Sequence, residues 1–326
     1  MSGSGISPQV LASAVELACR APSVHNSQPW HFTAEDETLR LFVEPHRVPR
    51  ATDHAGREAL ISCGALLDHL RVAAAAAGWH AEIAHFPNPN ALEHLATVEF
   101  HRRQLVTGAE RAHADAILRR RTDRLPFAAP PSWPAFEEVL RSTIDPADAT
   151  LHVLPDETRP ELAEASRLTE ALRRNDPSYQ AELSWWTGLF ETTDGVPYSA
   201  LVPASDRDRV EVARTFPAGD FSGDRPRGDH SIILALCTYD DSRASALGCG
   251  EALSVVLLEA TMAGLATCTL THLTELDASR DILRSLIGGP GEPQLLIRIG
   301  RVPALGEHPP MTPRRPLADV LRVAPW

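Results

Sequence analysis

Three short stretches of the chain hold side chains whose type and spacing could grip and orient a reactive ligand. In RRRTDR, residues 119–124, Arg120, Thr122 and Arg124 alternate, so in extended backbone they project to one side. Two guanidiniums flanking a hydroxyl suit a phosphate dianion, because arginine offers planar, permanently charged donors. The same run also reads as a solvated helix end whose cations complement the helix dipole. In TPRRPLADVL, residues 312–321, prolines on both sides stiffen Arg314 and Arg315 in extended backbone. That is a rigid presentation for an anion, or an ordinary pair of surface arginines.

The third stretch is APSVHNSQPW, Ala21–Trp30. Pro22 stops a helix, and Ser23, His25 and Asn26 follow without a regular backbone partner. Such a turn offers main-chain N–H groups and polar side chains to a planar, hydrogen-bonding ligand, with Gln28-Pro29-Trp30 as an anchor and the indole buried. A capping turn packed on tryptophan is the plainer alternative. Other chemistries lack a basis. The 14 histidines include no HExxH and no clustered metal-ligand spacing. LGCGEAL carries only two glycines of a dinucleotide fingerprint and no strand before it, and there is no GxSxG. The five cysteines form no CxxC pair and sit in apolar segments, which points to core positions and a reduced, cytoplasmic compartment.

The elements that must hold these stretches are legible from spacing. Ser7-Pro8 starts a helix, with Leu11, Ala14, Val15 and Ala18 as its apolar stripe. TLRLFVE alternates as a strand, and HAEIAHF, HLATVEF, ATLHVL, SIILALCTY and PQLLIRIG are further strands. Long helices are expected near 56–77 and 246–263, with others near 157–174 and 178–190. FPAGDFSGDRPRGDH, residues 216–230, reads as a mobile loop. The segments CGALLDHLRVAAAAAGW (63–79) and CGEALSVVLLEATMAGL (249–265) match in length, from a Cys-Gly start to a glycine cap. Helix packing alone could impose that match, but an internal duplication with a ligand at the seam explains it better. With 43 acidic against 31 basic residues and a net charge of -12, the chain has no basic face for nucleic acid or anionic membrane. MSGSGIS lacks the basic-then-apolar pattern of a signal peptide, and no segment is expected to span a membrane.

APSVHNSQPW resembles the P-S-x-x-N-x-Q-P-W turn of the flavin-dependent nitroreductases. Arg120, Thr122 and Arg124 match that family's R-x-[ST]-x-[KR], LLEATMAGLATC its glycine-closed helix, and PRRPLADVL its arginine-bearing tail. Ordinary members place the arginine motif first; here P-S-x-x-N precedes it. With the length and the paired helices, this order is similar to the actinobacterial Acg-like subfamily, in which one chain carries two nitroreductase-like halves.

The resemblance implies an internally duplicated α+β nitroreductase-like fold, with mostly antiparallel sheets wrapped by helices. The halves would be residues 1–108 and 109–326; the second carries an aromatic insertion at 181–203, with Trp185, Trp186 and Tyr198, which reads either as a lid over the ligand or as a plain helix and loop on the core. It further implies one FMN per chain, held without a covalent link. Pro22, Ser23, Val24 and Asn26 would line the flavin ring, while Arg120, Thr122 and Arg124 would hold the phosphate and the ribityl–ring junction. Arg315, with Arg314, would complete the phosphate cradle, and Leu270, Thr271 and His272 would pass near flavin N5. The activity so implied is hydride transfer from NAD(P)H to flavin and on to a nitro compound, quinone or other small acceptor, without metal. The alternative is a protein that sequesters flavin beneath a closed lid. A monomer is expected, since the halves already supply a pseudo-dimer, with a homodimer as the other option.

Overall fold

In the computed structural model, which describes residues 5–35, 37–188, 193–303 and 307–323, the two matched apolar segments become the central helices. They are α2 (Arg57–Ala76) and α7 (Arg243–Met262). Both are long and apolar enough to cross a membrane, but their apolar stretches are mostly buried inside the protein, as core helices are. They close at Gly78 and Gly264, whose φ values of 86° and 72° lie in the left-handed region that glycine alone enters freely.

The two helices cross at glycine. A Cβ on Gly64 would stand 1.9 Å from the Leu247 carbonyl oxygen, and one on Gly250 would stand 2.0 Å from that of Ile61. Each glycine thus meets the carbonyl three residues before the other, a reciprocal contact that any side chain would break.

Around this pair the chain builds two sheets. Helix α1 (Pro8–Ala18) leads to β1 (Trp30–Glu35) and β2 (Thr38–Val43); β3 (Trp79–His85) and β4 (His94–Arg102) follow α2. Next come α3 (Gly108–Arg119), started by a Thr107/Glu110 capping box, and α4 (Trp133–Thr143). Then β5 (Thr150–Leu154), α5 (Arg159–Arg173), α6 (Pro177–Trp186) and β6 (Ile232–Thr238) precede α7. After it lie β7 (Ala266–Leu270), α8 (Asp277–Ile287) and β8 (Glu292–Gly300), and the chain ends in α9 (Leu317–Val320) and β9 (Leu321–Val323).

The first sheet has the order β3-β4-β2-β1-β9 and the second β5-β6-β8-β7. All pairings are antiparallel except β1 with β9, where Phe32 faces Leu321. The first sheet therefore takes its edge strand from the last described residues, and the arginine-bearing tail must cross the molecule to deliver it. β6 and β8 are buried almost throughout; β6 is nearly all apolar, whereas β8 also buries Gln294 and Arg298.

The 216–230 segment forms no helix or strand, yet it is fastened rather than loose. Arg225, fully buried, donates to Asp123 at 2.9 Å, and Asp229 accepts from Arg298 at 2.7 Å and from the Phe127 amide at 2.9 Å. The lid segment is described only in part, since residues 189–192 lie outside the described residues. Trp185 is 80% exposed, whereas Trp186 is buried.

Candidate functional site

A cavity of about 570 Å³ opens at the seam, within the size range of cofactor pockets. Its wall comes from the turn after α1, the start of α2, the strand-like run after α3, the end of β7 and the tail before α9.

The turn is built first. Ser23 accepts from the Gln28 amide at 3.0 Å, and Ser62 of α2 accepts from the Val24 amide at 3.1 Å. His25, Asn26 and Gln28 all have positive φ, 49°, 56° and 49°, so the turn holds three residues in the left-handed region. Asparagine tolerates this best; the others stay because tertiary contacts over-determine them. Gln28 is the lock: its side chain donates to the carbonyls of Asn26 (3.2 Å) and Thr193 (3.0 Å) and accepts from the Arg315 amide (2.9 Å). Trp30 is fully buried behind it.

Pro22, Ser23, Val24 and Asn26 all line the cavity. The Asn26 amide is already committed, however, donating to the carbonyls of Gly195 at 2.9 Å and Pro313 at 3.1 Å. Asn26 thus ties the lid segment and the tail to the turn.

Arg120, Thr122 and Arg124 also reach the cavity, while Asp123 between them turns away to Arg225. The alternation comes from extended backbone, where the Asp123 amide donates to the Thr267 carbonyl beside β7. Arg120 is 7% exposed and donates to the Arg20 carbonyl at 3.2 Å, and its Nε has no partner. Arg314 donates to the carbonyls of Cys19 (2.8 Å) and Arg20 (2.9 Å) at the C-terminal end of α1.

Arg20 and Arg121 complete a cluster of four guanidiniums. Among the described residues, no carboxylate lies within ion-pair distance of any of them. Carbonyl dipoles compensate a full charge only in part. Burial first, then the neighbouring arginines, push Arg120 down to about 10 and Arg314 well below the ordinary arginine value. In a chain of net charge -12 that holds 43 acidic residues, four cations without one among the described residues leave a local excess of positive charge.

Arg124 stands apart from this cluster. Its guanidinium lies 4.9 Å from the Phe216 ring centroid and donates to the Ala200 carbonyl at 3.3 Å, again with no carboxylate partner among the described residues.

Leu270 and Thr271, at the end of β7, line the cavity, but two expected site residues do not. His272 falls in the one-turn helix His272–Thr274, which rotates it into the wall, where its Nε2 lies 2.7 Å from Ser166 Oγ. Burial drives that imidazole down to about 3, so it is neutral. Arg315 faces away from Arg314 because successive residues of extended backbone point oppositely. It donates to the carbonyls of Gln28 (3.2 Å) and Trp30 (3.0 Å) and pairs with Glu44 at 3.1 Å. It anchors the turn and adds nothing to the cradle.

Arg20, Arg121, Glu58 and Arg214 line the cavity without having been singled out by the sequence reading. For Arg20 a signal existed, a cation on the last turn of a helix that Pro22 stops beside the conspicuous turn. From the lid, Val196, Ala200 and Val202 reach the wall, in place of the aromatic residues expected there.

Comparison with known proteins identifies the family. The chain is 57% identical over 320 residues to a Mycobacterium tuberculosis protein provisionally named NAD(P)H nitroreductase acg, covering 98% of this chain and 97% of the relative. It belongs to the Acg-like nitroreductase family. Another M. tuberculosis protein provisionally named as an NAD(P)H nitroreductase is 36% identical over 96% of this chain and 91% of its own length. No family model matches the chain. Among solved structures, a candidate nitroreductase from Anabaena variabilis superposes with a TM-score of 0.57 over 90% of this chain and 88% of that one. At 9% identity that likeness is one of fold alone. The family's α+β architecture, with mostly antiparallel sheets wrapped by helices, is the one described above.

Proposed function

We propose that this Acg-like nitroreductase binds one FMN in the seam cavity and passes electrons from NAD(P)H to a small nitro, quinone or related acceptor. The observation that carries the reading is the half-buried four-arginine cluster without a carboxylate among the described residues, at the edge of a cavity walled by the turn after α1, α2, β7 and β8. A dianionic phosphate answers that charge, and the orphaned Nε atoms of Arg20 and Arg120 are donors awaiting an acceptor.

Arg20, Arg120 and Arg314 would hold the phosphate, with Arg121 at the rim. Pro22, Ser23 and Val24 would flank the ring, while Asn26 and Gln28 keep that turn in its left-handed conformation. Thr122, Leu270 and Thr271 would line the remaining wall. Arg124, a buried cation without a carboxylate, would face the ring end where negative charge develops on reduction. Bound FMN supplies the hydride acceptance and the electron transfer; the protein supplies binding, orientation and charge.

The same reading includes two fused nitroreductase-like halves, residues 1–108 and 109–326, supported by the reciprocal glycine contact between α2 and α7. Only one seam is so equipped, since P-S-x-x-N and the arginine motif each occur once. A monomer in the cytoplasm is the proposed state; the five cysteines are buried and unpaired, as a reducing compartment allows.

The test is anaerobic mixing of FMN-loaded protein with NADH or NADPH. Bleaching of the flavin supports the enzyme, and a flavin that stays oxidised favours sequestration. A protein that takes up no FMN sinks both.

A further inference from the structure

Glu58, in the first turn of α2, lines the seam cavity. Its side chain is 2% exposed, and neither carboxyl oxygen has a hydrogen-bond partner among the described residues. An ionised carboxylate in that position would lack the donors that make burial tolerable.

The surrounding charges do not repair this. Arg57 comes within 3.8 Å, but both of its terminal nitrogens are engaged elsewhere. Its Nη1 donates to the Gln294 carbonyl at 2.7 Å and side-chain oxygen at 2.8 Å, and its Nη2 to the Thr274 carbonyl at 3.1 Å and hydroxyl at 2.9 Å. Arg214 is engaged by Glu275, the Tyr179 hydroxyl and Thr271. Asp53, which accepts from the Ala59 amide at 2.8 Å, and Glu275 add two like charges. Burial, then Glu275 and Asp53, hold the Glu58 carboxyl well above the usual carboxylate range, against the weaker pull of Arg57 and Arg214.

We propose that Glu58 is the proton donor of the seam cavity, a neutral carboxylic acid held just behind the cavity wall that delivers its proton to the electron acceptor bound there when its side chain turns toward the opening. This rests on the redox reading above. A quinone that takes two electrons as a hydride on one oxygen still needs a proton on the other. The Glu58 O–H bond breaks as the new quinol O–H bond forms, leaving hydroquinone and a Glu58 carboxylate. While that side chain faces the opening, solvent at the cavity mouth returns the proton, NAD(P)H having supplied the electrons. The like charges of Asp53 and Glu275 favour that return.

The experiment compares wild type with Glu58→Gln, which keeps size and polarity but carries no transferable proton. FMN-loaded protein is reduced with dithionite, then mixed with benzoquinone or with ferricyanide, which takes an electron and no proton. Glu58→Gln should retain FMN and react normally with ferricyanide, while reoxidation by benzoquinone slows ~100-fold, the usual worth of a positioned acid. Independently of turnover, the infrared spectrum of the flavin-free protein at pH 7 should contain a protonated-carboxyl band that Glu58→Gln removes. Equal slowing with both oxidants, no slowing with either, or no such band overturns the proposal. Retained flavin with no selective quinone deficit overturns it alone; protein that takes up no FMN overturns it together with the redox reading.

Discussion

Replacing Arg120 with methionine should stabilise the flavin-free protein and weaken its hold on FMN, two effects of opposite sign from one change. Methionine keeps much of the buried stem and removes only the charge. The magnitude follows from the lowering of the arginine from 12.5 to about 10, at about 1.4 kcal/mol per pH unit, or about 3 kcal/mol. For a base lowered on folding, this cost is present in full below about pH 10 and vanishes as pH rises toward 12.5. Losing the hydrogen bond to the Arg20 carbonyl gives back about 1 kcal/mol. The net gain of about 2 kcal/mol corresponds to a rise of roughly 3 °C in Tm, taking about 2.1 cal/mol/K of unfolding entropy per residue over 326 residues.

With FMN that lead shrinks or disappears. Wild type gains about 2.7 kcal/mol from ligand at a hundred times its Kd. The variant forfeits a charge-assisted contact worth about 1.5–3 kcal/mol, or roughly ten- to a hundredfold in Kd. Thermal melts in phosphate-free buffer, with and without FMN, read both terms, and a fluorescence titration gives Kd directly. A flavin-free variant that melts below wild type while binding FMN equally well would refute the reasoning. Arg120 would then be a structural cap on α1, and the cluster would not be an anion site.

Asn26→Ala removes the two ties to Gly195 and Pro313, so hydrogen exchange should accelerate at residues 193–196 and 312–316, with about 1–2 kcal/mol lost in urea unfolding; unchanged protection there would remove its role as a clamp. Gly64→Ala should abolish soluble expression, because its Cβ would lie 1.9 Å from the Leu247 carbonyl oxygen, whereas Gly108→Ala, with nothing within 4 Å, should leave the melting curve unchanged or raised. His25, His69 and His272 are buried and lowered in pKa, the last to about 3, so each contributes stability that is present above pH 6.5 and lost as pH falls below it. His272→Gln should flatten the fall in unfolding free energy between pH 6.5 and 5 by about 1.4 kcal/mol per pH unit, and an unaltered slope would mean that this histidine is not held neutral.

What the sequence disclosed was local geometry that repeats at fixed spacing. The alternation of Arg120, Thr122 and Arg124 survives folding because extended backbone beside β7 keeps its two-residue period. The glycine caps of α2 and α7 were legible because left-handed φ restricts residue type. The same period made the choice between Arg314 and Arg315 undecidable. Two neighbours in extended backbone must face opposite ways, and only Glu44, some 270 residues earlier, captures Arg315 and leaves Arg314 for the cavity. His272 was misjudged for a related reason: a single helical turn after Leu270 rotates it toward Ser166, and one turn leaves no periodic trace.

Glu58 was beyond sequence reasoning altogether. A glutamate in a helix's first turn is ordinary, since the helix dipole favours it there. What distinguishes it is a lack of partners, created by Arg57 being spent on Gln294 and Thr274 and Arg214 on Glu275. The arginine cluster obeys the same logic in reverse. A net charge of -12 says nothing about four cations that the fold separates from every described carboxylate, so both the proposed anion site and the proposed acid are properties of who is missing from the neighbourhood. Such absences arise only when distant segments meet, which is why the motifs located the cavity while its charge balance had to be read from the assembled wall.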